Sequence, residues 1–330
     1  MKRTSRLPIA TVAWLALFSL AAAHLSAGPI IYASLGGQGG GSTNNGAVVT
    51  INSTTGAVTV IGVPDGGIAI SGLTFQSNGD LWGSTQNGGG MPPTAGNPPP
   101  TTTSDLLQIN PLTGALISSA LIQTAGGTPV SIADLATQPG TNTIFGLQSP
   151  NDPNTPNGDM VNLYTISTSG IATLVGNTGV FFGAIAFAPN GTLYMTSADL
   201  VGVSTAPMTF TCPAADSGDY NCALDTVSPT TGAILTSVGT ADFYSALGIS
   251  NSGVIWAATG AGDLGAGTGQ FFAGVSTLDP TTGDATFIGN TDANFVADIA
   301  FAVPEPASLV LSGIGLAALL ALRFRQGVKR

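Results

Sequence analysis

The side chains able to do acid–base or ligand chemistry in this chain are almost all aspartates. The only glutamate is Glu305 and the only histidine is His24. The seven basic residues, Lys2, Arg3, Arg6, Arg323, Arg325, Lys329 and Arg330, all sit at the two ends. Residues 28–302 therefore carry 16 Asp and no Glu, Lys, Arg or His. A body without cationic groups cannot displace counterions from phosphates, so nucleic acid is excluded as a partner. It also cannot assemble a Ser-His-Asp or Cys-His centre or a Schiff-base lysine. What remains is the chemistry of carboxylates alone. The stretch NDPNTPNGD at 151–159 places Asp152 and Asp159 among closely spaced oxygen donors, the type Ca2+ takes, without the closing Glu of an EF-hand loop. Asp134 and Asp298 form a second candidate pair for a cation or a water chain. Paired carboxylates also hydrolyse glycosides, but here no other group would tune or orient the acid, so no enzymatic activity is expected. Cys212 and Cys222 lack the spacing of a redox or zinc motif and are expected to close one short loop as a disulfide.

The elements that hold these residues repeat. One turn recurs as INSTTG at 51–56, INPLTG at 109–114, ISTSG at 166–170, VSPTTG at 227–232 and LDPTTG at 278–283. A polar first residue and a terminal Gly suit a tight turn with one positive φ. The final glycines lie 58, 56, 62 and 51 residues apart. Between them a short apolar strand recurs at 72–75, 134–136, 184–187, 246–249 and 298–301. Asp134 and Asp298 occupy its first position, where the other copies have Gly72, Ala184 and Ala246. A third element is Leu81-Trp82-Gly83, Ile144-Phe145-Gly146, Leu193-Tyr194-Met195 and Ile255-Trp256-Ala257. Its fifth copy is displaced to the start of the body, as Ile31-Tyr32-Ala33.

With 46 Gly among 330 residues and no long helical period, the pattern is all-β. Four strands per unit at about fifty-residue spacing predict a five-bladed β-propeller. The displaced copy predicts that strands from both termini close the ring: 296–302 inside, then 30–33, 47–51 and 57–62. Inner strands line the axial channel, where Asp134 and Asp298 could hold a cation or a water chain or bond to neighbouring backbone. The aromatic residues Tyr32, Trp82, Phe145, Tyr194 and Trp256 are expected to pack between blades. Short turns fall on one face and long loops on the other, the loop at 197–221 carrying Cys212 and ending next to Cys222. Most of the aspartates fall with the long loops. The chain leaves the ring on the short-turn face.

The ends read as sorting signals. Residues 1–27 have a basic start and an apolar run, as a secretory signal peptide with a signal helix does. At the other end Val303, Pro304, Glu305 and Pro306 precede the apolar run 307–322, and Arg323 and Arg325 follow it. The run is long enough for a membrane helix with its basic flank in the cytoplasm. This segment, 303–330, resembles the PEP-CTERM sorting signal: a Pro-Glu-Pro motif, one membrane helix and a basic tail.

The resemblance implies recognition by an exosortase, a sorting protease of the membrane. It implies a chain that crosses the inner membrane, is held by its C-terminal helix, and then reaches the surface or the extracellular space of an exopolysaccharide-producing bacterium. With a charge-poor propeller as body, residues 28–302, the expected role is a non-enzymatic surface or matrix protein with a structural or adhesive task. A glycan- or Ca2+-binding module, with exopolysaccharide as a partner, is the alternative.

Overall fold

The computed structural model describes residues 30–36, 46–66, 68–85, 103–149, 161–180, 182–200, 220–259, 274–291, 293 and 296–302. The expected signal helix, the membrane helix, Asp152, Asp159, Cys212 and the segment from Val303 onward lie outside these residues.

The described strands form five sheets, antiparallel except where one short strand joins one of them. In chain order, β1 (Ile31–Leu35), β2 (Val48–Ile51) and β3 (Val58–Gly62) come first. Blade one follows as β4 (Ile70–Phe75), β5 (Leu81–Thr85), β6 (Asp105–Ile109) and β7 (Leu116–Leu121). Next is β8 (Gln123–Thr124). Blade two holds β9 (Ile132–Thr137), β10 (Ile144–Gln148), β11 (Asn162–Ile166) and β12 (Ile171–Asn177). Blade three holds β13 (Phe182–Phe187), β14 (Leu193–Leu200), β15 (Tyr220–Val227) and β16 (Ile234–Gly239). Blade four holds β17 (Ala246–Ile249), β18 (Ile255–Ala258), β19 (Gly274–Leu278) and β20 (Ala285–Asn290). The last strand, β21 (Val296–Phe301), joins β1, β2 and β3 to make blade five.

The ring is thus a five-bladed β-propeller closed by strands from both ends of the body, as the displaced repeat predicts. The closing register pairs Tyr32 with Ala300 and Ser34 with Asp298. Two details differ from the sequence reading. First, β14 and β15 run further than expected: Ala198, Asp199 and Leu200 pair with Cys222, Asn221 and Tyr220. Cys222 is therefore a buried strand residue, not a loop residue. Second, β8 adds to β12 in parallel, pairing Ile171 with Gln123. The chain leaving blade one thereby hydrogen-bonds to the outer edge of blade two, which covers that edge.

The core is divided into five packets, one between each pair of neighbouring blades. Inner strands such as β4 and β21 are buried along their whole length, because a neighbouring blade covers each face. Aromatic pairs bridge three of the seams. Tyr32 meets Phe75 with ring centroids 5.0 Å apart, Phe145 meets Phe187 at 5.1 Å, and Trp256 meets Phe301 at 6.3 Å. Each such pair contributes on the order of 1 kcal/mol beyond its buried area.

The recurring turns are held by their first residue. Asn52 Oδ1 accepts from Thr54 N–H (2.9 Å), and Asp279 Oδ1 accepts from Thr281 N–H (2.7 Å). The closing glycines take positive φ, +75° at Gly56 and +77° at Gly283. They also do something the turn alone does not demand. A Cβ on Gly56 would lie 2.7 Å from the Gly289 carbonyl carbon, and one on Gly114 would lie 2.6 Å from Gly62 Cα. Gly232 abuts Gly176, and Gly283 abuts Gly239, in the same way. Four of the five outer seams are therefore glycine on glycine, main chain against main chain. At the remaining seam Gly170 packs on Leu121, where β8 crosses over.

Candidate functional site at the propeller axis

Alternation along the inner strands decides what faces the axis. Gln76 N–H bonds to Asp80 O inside its blade, and the same pairing recurs at Gln138 with Thr143, Ala188 with Thr192, and Ser250 with Val254. Amide direction alternates along a strand, so three residues back the amides of Leu73, Leu135, Ile185 and Leu247 point away from their partner strand and toward the axis. Ile299 holds the same position in blade five. Five main-chain N–H groups thus converge on the axis, and buried N–H groups need acceptors.

Asp134 and Asp298 supply them. Asp134 Oδ1 accepts from Leu135 N–H (2.9 Å) and its Oδ2 from Ile185 N–H (2.5 Å). Asp298 Oδ1 accepts from Ile299 N–H (2.6 Å) and its Oδ2 from Leu73 N–H (2.5 Å). Four carboxylate oxygens satisfy four donors. Leu247 N–H, in the blade where Ala246 stands in place of Asp, receives no carboxylate oxygen. The two carboxyls lie close enough to influence each other's protonation.

Both carboxyls are fully buried, at 1% and 0% exposure. Burial pushes Asp134 up to about 7, against the lowering effect of the hydrogen bonds from Asp298, Ile185 and Leu135. Asp298 is raised well above the usual carboxylate range, first by burial, then by the charge of Asp134 and the hydrogen bond to it. Both carboxyls are thus pushed toward their protonated forms.

The carboxylates belong to a wider scheme of ties between inner strands. Asp134 joins blade two to blade three, and Asp298 joins blade five to blade one. The other three seams use hydroxyls. Ser71 Oγ donates to Ile132 O (2.9 Å) between blades one and two. Thr196 Oγ1 donates to Tyr244 O (2.8 Å) between three and four. Ser245 Oγ donates to Val296 O (3.2 Å) between four and five. Every inner seam carries at least one side-chain-to-backbone bond, and between blades one and two Ser104 Oγ also accepts from Ile132 N–H (2.9 Å). Sequence reading missed the three hydroxyls, since serine and threonine at strand ends have no distinguishing pattern.

Above the carboxyl pair, on the short-turn face, the axis opens into a hollow of about 250 Å³. Its floor is the ring of Leu and Ile that carries the five N–H groups, and its walls include Phe75, Phe187, Phe301 and Ile249. Asn251, at the rim, donates its Nδ2 to Ala302 O (3.3 Å), where the chain leaves the ring. A second hollow, of about 530 Å³, lies between the outer parts of blades three and four and is lined by Asp242, Asp284, Tyr244 and Phe287. Burial raises Asp242 above its ordinary value. Asp105 is raised by burial and by the nearby charge of Asp65.

Of the residues singled out in the sequence, the structure brings together Asp134 and Asp298. Asp225, not singled out, is buried in β15 and accepts from Ser197 Oγ (2.6 Å). Cys222 is in a disulfide, and the chain has only one other cysteine, Cys212. Among the described residues no three His, Cys, Asp or Glu side chains gather as a metal-ligand group.

The decisive comparison concerns the exit point. The family signature described as the PEP-CTERM protein-sorting motif matches residues 302–326, beginning at the residue that Asn251 holds. The chain carries a PEP-CTERM sorting motif. That motif implies export, anchoring by the C-terminal signal and recognition by an exosortase.

No curated protein matches the chain. Among solved structures it is similar to a protein of unknown function from Bacteroides caccae, at 14% identity and TM-score 0.45, over 83% of this chain and 99% of that one. A protein of unknown function from Dyadobacter fermentans is 9% identical with TM-score 0.47, over 77% and 75% of the two chains. Glutaminyl cyclase of Myxococcus xanthus is 14% identical with TM-score 0.38, over 68% and 71%. These likenesses are too distant to bear on activity or ligand.

Proposed function

We propose that this PEP-CTERM protein is a non-enzymatic component of the cell surface or extracellular matrix, with a structural or adhesive role. One observation supports this most directly. The carboxyl pair at the axis, where a propeller catalyst would place its acid and base, is spent on closing the ring: each oxygen accepts a main-chain N–H and neither side chain reaches solvent. A pair so held cannot approach a glycosidic oxygen. Two tests divide the reading. In a host with an exosortase, the intact mass of the exported protein should lack residues 303–330, and a product still ending in Arg330 contradicts the sorting step. Residues 28–302 mixed with the host's exopolysaccharide should co-sediment with it without releasing reducing ends. Release above the buffer rate overturns the non-enzymatic role, and failure to co-sediment overturns the matrix role.

The second reading, a glycan-binding module, draws on the side hollow between blades three and four. Phe287 stands 63% exposed there beside Asp242 and Asp284, an aromatic face flanked by carboxylates. Such a surface stacks on a sugar ring while the carboxylates accept its hydroxyls. Phe287→Ala should then abolish glycan co-sedimentation without altering the melting temperature.

A further inference from the structure

We infer that the outer edge of blade one is a pairing surface for a second copy of this chain, β7 of one copy adding to β7 of the other as antiparallel strands about a two-fold axis. Among the described residues, β7 ends its sheet and no strand pairs with its far side. Main-chain N–H and C=O groups along such an edge are a template for another strand.

The molecule shows what covers an edge of this kind. At the equivalent edge of blade two, β8 adds to β12 and pairs Gln123 with Ile171 and Thr124 with Ala172. The outer edges of the other four blades have no such cover among the described residues. Of these four, β7 is the most open. Three of its apolar side chains, Leu116, Ile117 and Leu121, are exposed, against Val60 alone in β3, Leu235 alone in β16 and Phe287 alone in β20. Its ends are fixed, Gly114 lying against Gly62 of blade five and Leu121 against Gly170 of blade two. The edge between them is in place before a partner arrives, so little ordering entropy opposes pairing.

Charge selects the occupant. Native edges deter pairing with Lys, Pro or inward charges, and β7 has none of these. No ionisable residue lies between Asp105 and Asp134. The body has 16 Asp and no cation, so two copies repel and no ion pair can join them. What can hold them is an uncharged edge, through main-chain hydrogen bonds and apolar contact. Under a two-fold axis β7 meets its own pattern, which makes the edge its own complement. This pairing gives the matrix role proposed above a partner. Its test contains no exopolysaccharide, so the two readings fail separately.

The test is sedimentation velocity of the exported protein from about 1 to about 100 µM, with amide hydrogen exchange at both ends of that range. A monomer–dimer equilibrium is expected. Protection of the segment 115–121 should rise at least about fivefold with concentration, with no such rise in β3, β16 or β20. Association should strengthen from low salt to about 0.5 M NaCl, because repulsion between the bodies is screened. Ile117→Asp should weaken dimerisation at least about tenfold, since like charges then meet across the paired strands. Leu235→Asp makes the same change at an exposed position of another outer strand and should leave dimerisation unaltered. Ser119→Asp, also at an exposed position of β7, replaces Ile117→Asp if circular dichroism shows that variant unfolded. A monomer at every concentration, a dimer weakened by salt, equal loss in the β7 and β16 variants, or an unchanged dimer in the folded β7 variant would each overturn the pairing.

Discussion

Asp298 and Asp134 face the same axis from blades that are not neighbours, and each carboxyl holds an amide of the next blade, Leu73 and Ile185. Two side chains thereby engage four of the five blades. The arithmetic of a five-fold ring explains the remainder. Two carboxylates have four oxygens, and the ring presents five inward amides, so one blade must stand outside. That is blade four, which its neighbours hold instead through Thr196 and Ser245.

The glycine seams give a test with an internal control. Gly289→Ala would drive a Cβ onto the Thr55 carbonyl of the neighbouring blade, with main chain on both sides and nothing to rotate away. The expected cost is about 3 kcal/mol, the upper range for overpacking. Gly79→Ala has open space around it and only its φ of +89° against it, so about 1 kcal/mol is expected. Urea unfolding of both variants checks the order, and equal losses would mean the seam yields.

Thr196 isolates one hydroxyl tie. Its Oγ1 donates to Tyr244 O and accepts from Ala184 N–H (3.2 Å), both buried. Thr196→Val keeps the shape and strands two partners, at an expected cost of about 2–3 kcal/mol. Thr196→Ser should recover most of it. A loss of similar size in both variants would point to packing rather than the hydroxyl.

Much of this was legible in the sequence. The turn motif, the short inner strand and the displaced Ile31-Tyr32-Ala33 copy fix blade number and closure, because each turn demands its own glycine and each inner strand its apolar run. The equivalence of Asp134 and Asp298 was also visible. Their meeting was not, since a linear repeat does not say how far across a ring two side chains reach. The outer-strand glycines, Gly62, Gly176, Gly239 and Gly289, follow their turn glycines by six or seven residues. That spacing was a usable signal, hidden because a glycine-rich chain makes any one glycine look ordinary. The length of β14 and β15 was missed because polar residues such as Asp199 and Asn221 read as loop.

Ring closure predicts a contrast between two deletions. Removing β1 takes away the strand between β21 and β2 and the Tyr32–Phe75 contact, leaving main-chain groups of both neighbours unpaired. A domain's total stability is about 5–15 kcal/mol, so this variant should not fold. Deleting a similar length within 88–100 should lower the melting temperature little, because closure entropy varies slowly with loop length. Circular dichroism of the two proteins decides it.

Cys222 forms its disulfide from within β15, beside Phe243. Reduction should cost on the order of 2–3 kcal/mol, from the reopened ten-residue link to Cys212. Thermal melts with and without a reductant measure it.

Burial of the Asp134 and Asp298 carboxyls at the axis is tested most directly by the melting temperature as a function of pH. Asp134 and Asp298 have folded pKa values above their unfolded ones. The native state thus holds a proton that the unfolded chain releases above about pH 4. The stabilisation is full below that point and is lost as pH rises, through about 7 for Asp134 and further for Asp298, which is also raised. Asp105 and Asp242 are raised too and add a smaller slope of the same sign. The melting temperature of the intact protein should therefore fall steadily between pH 5 and pH 8, by the equivalent of a few kcal/mol, and Asp298→Asn should lose most of that fall. A melting temperature that rises with pH across this window, or an undiminished fall in Asp298→Asn, would contradict the account.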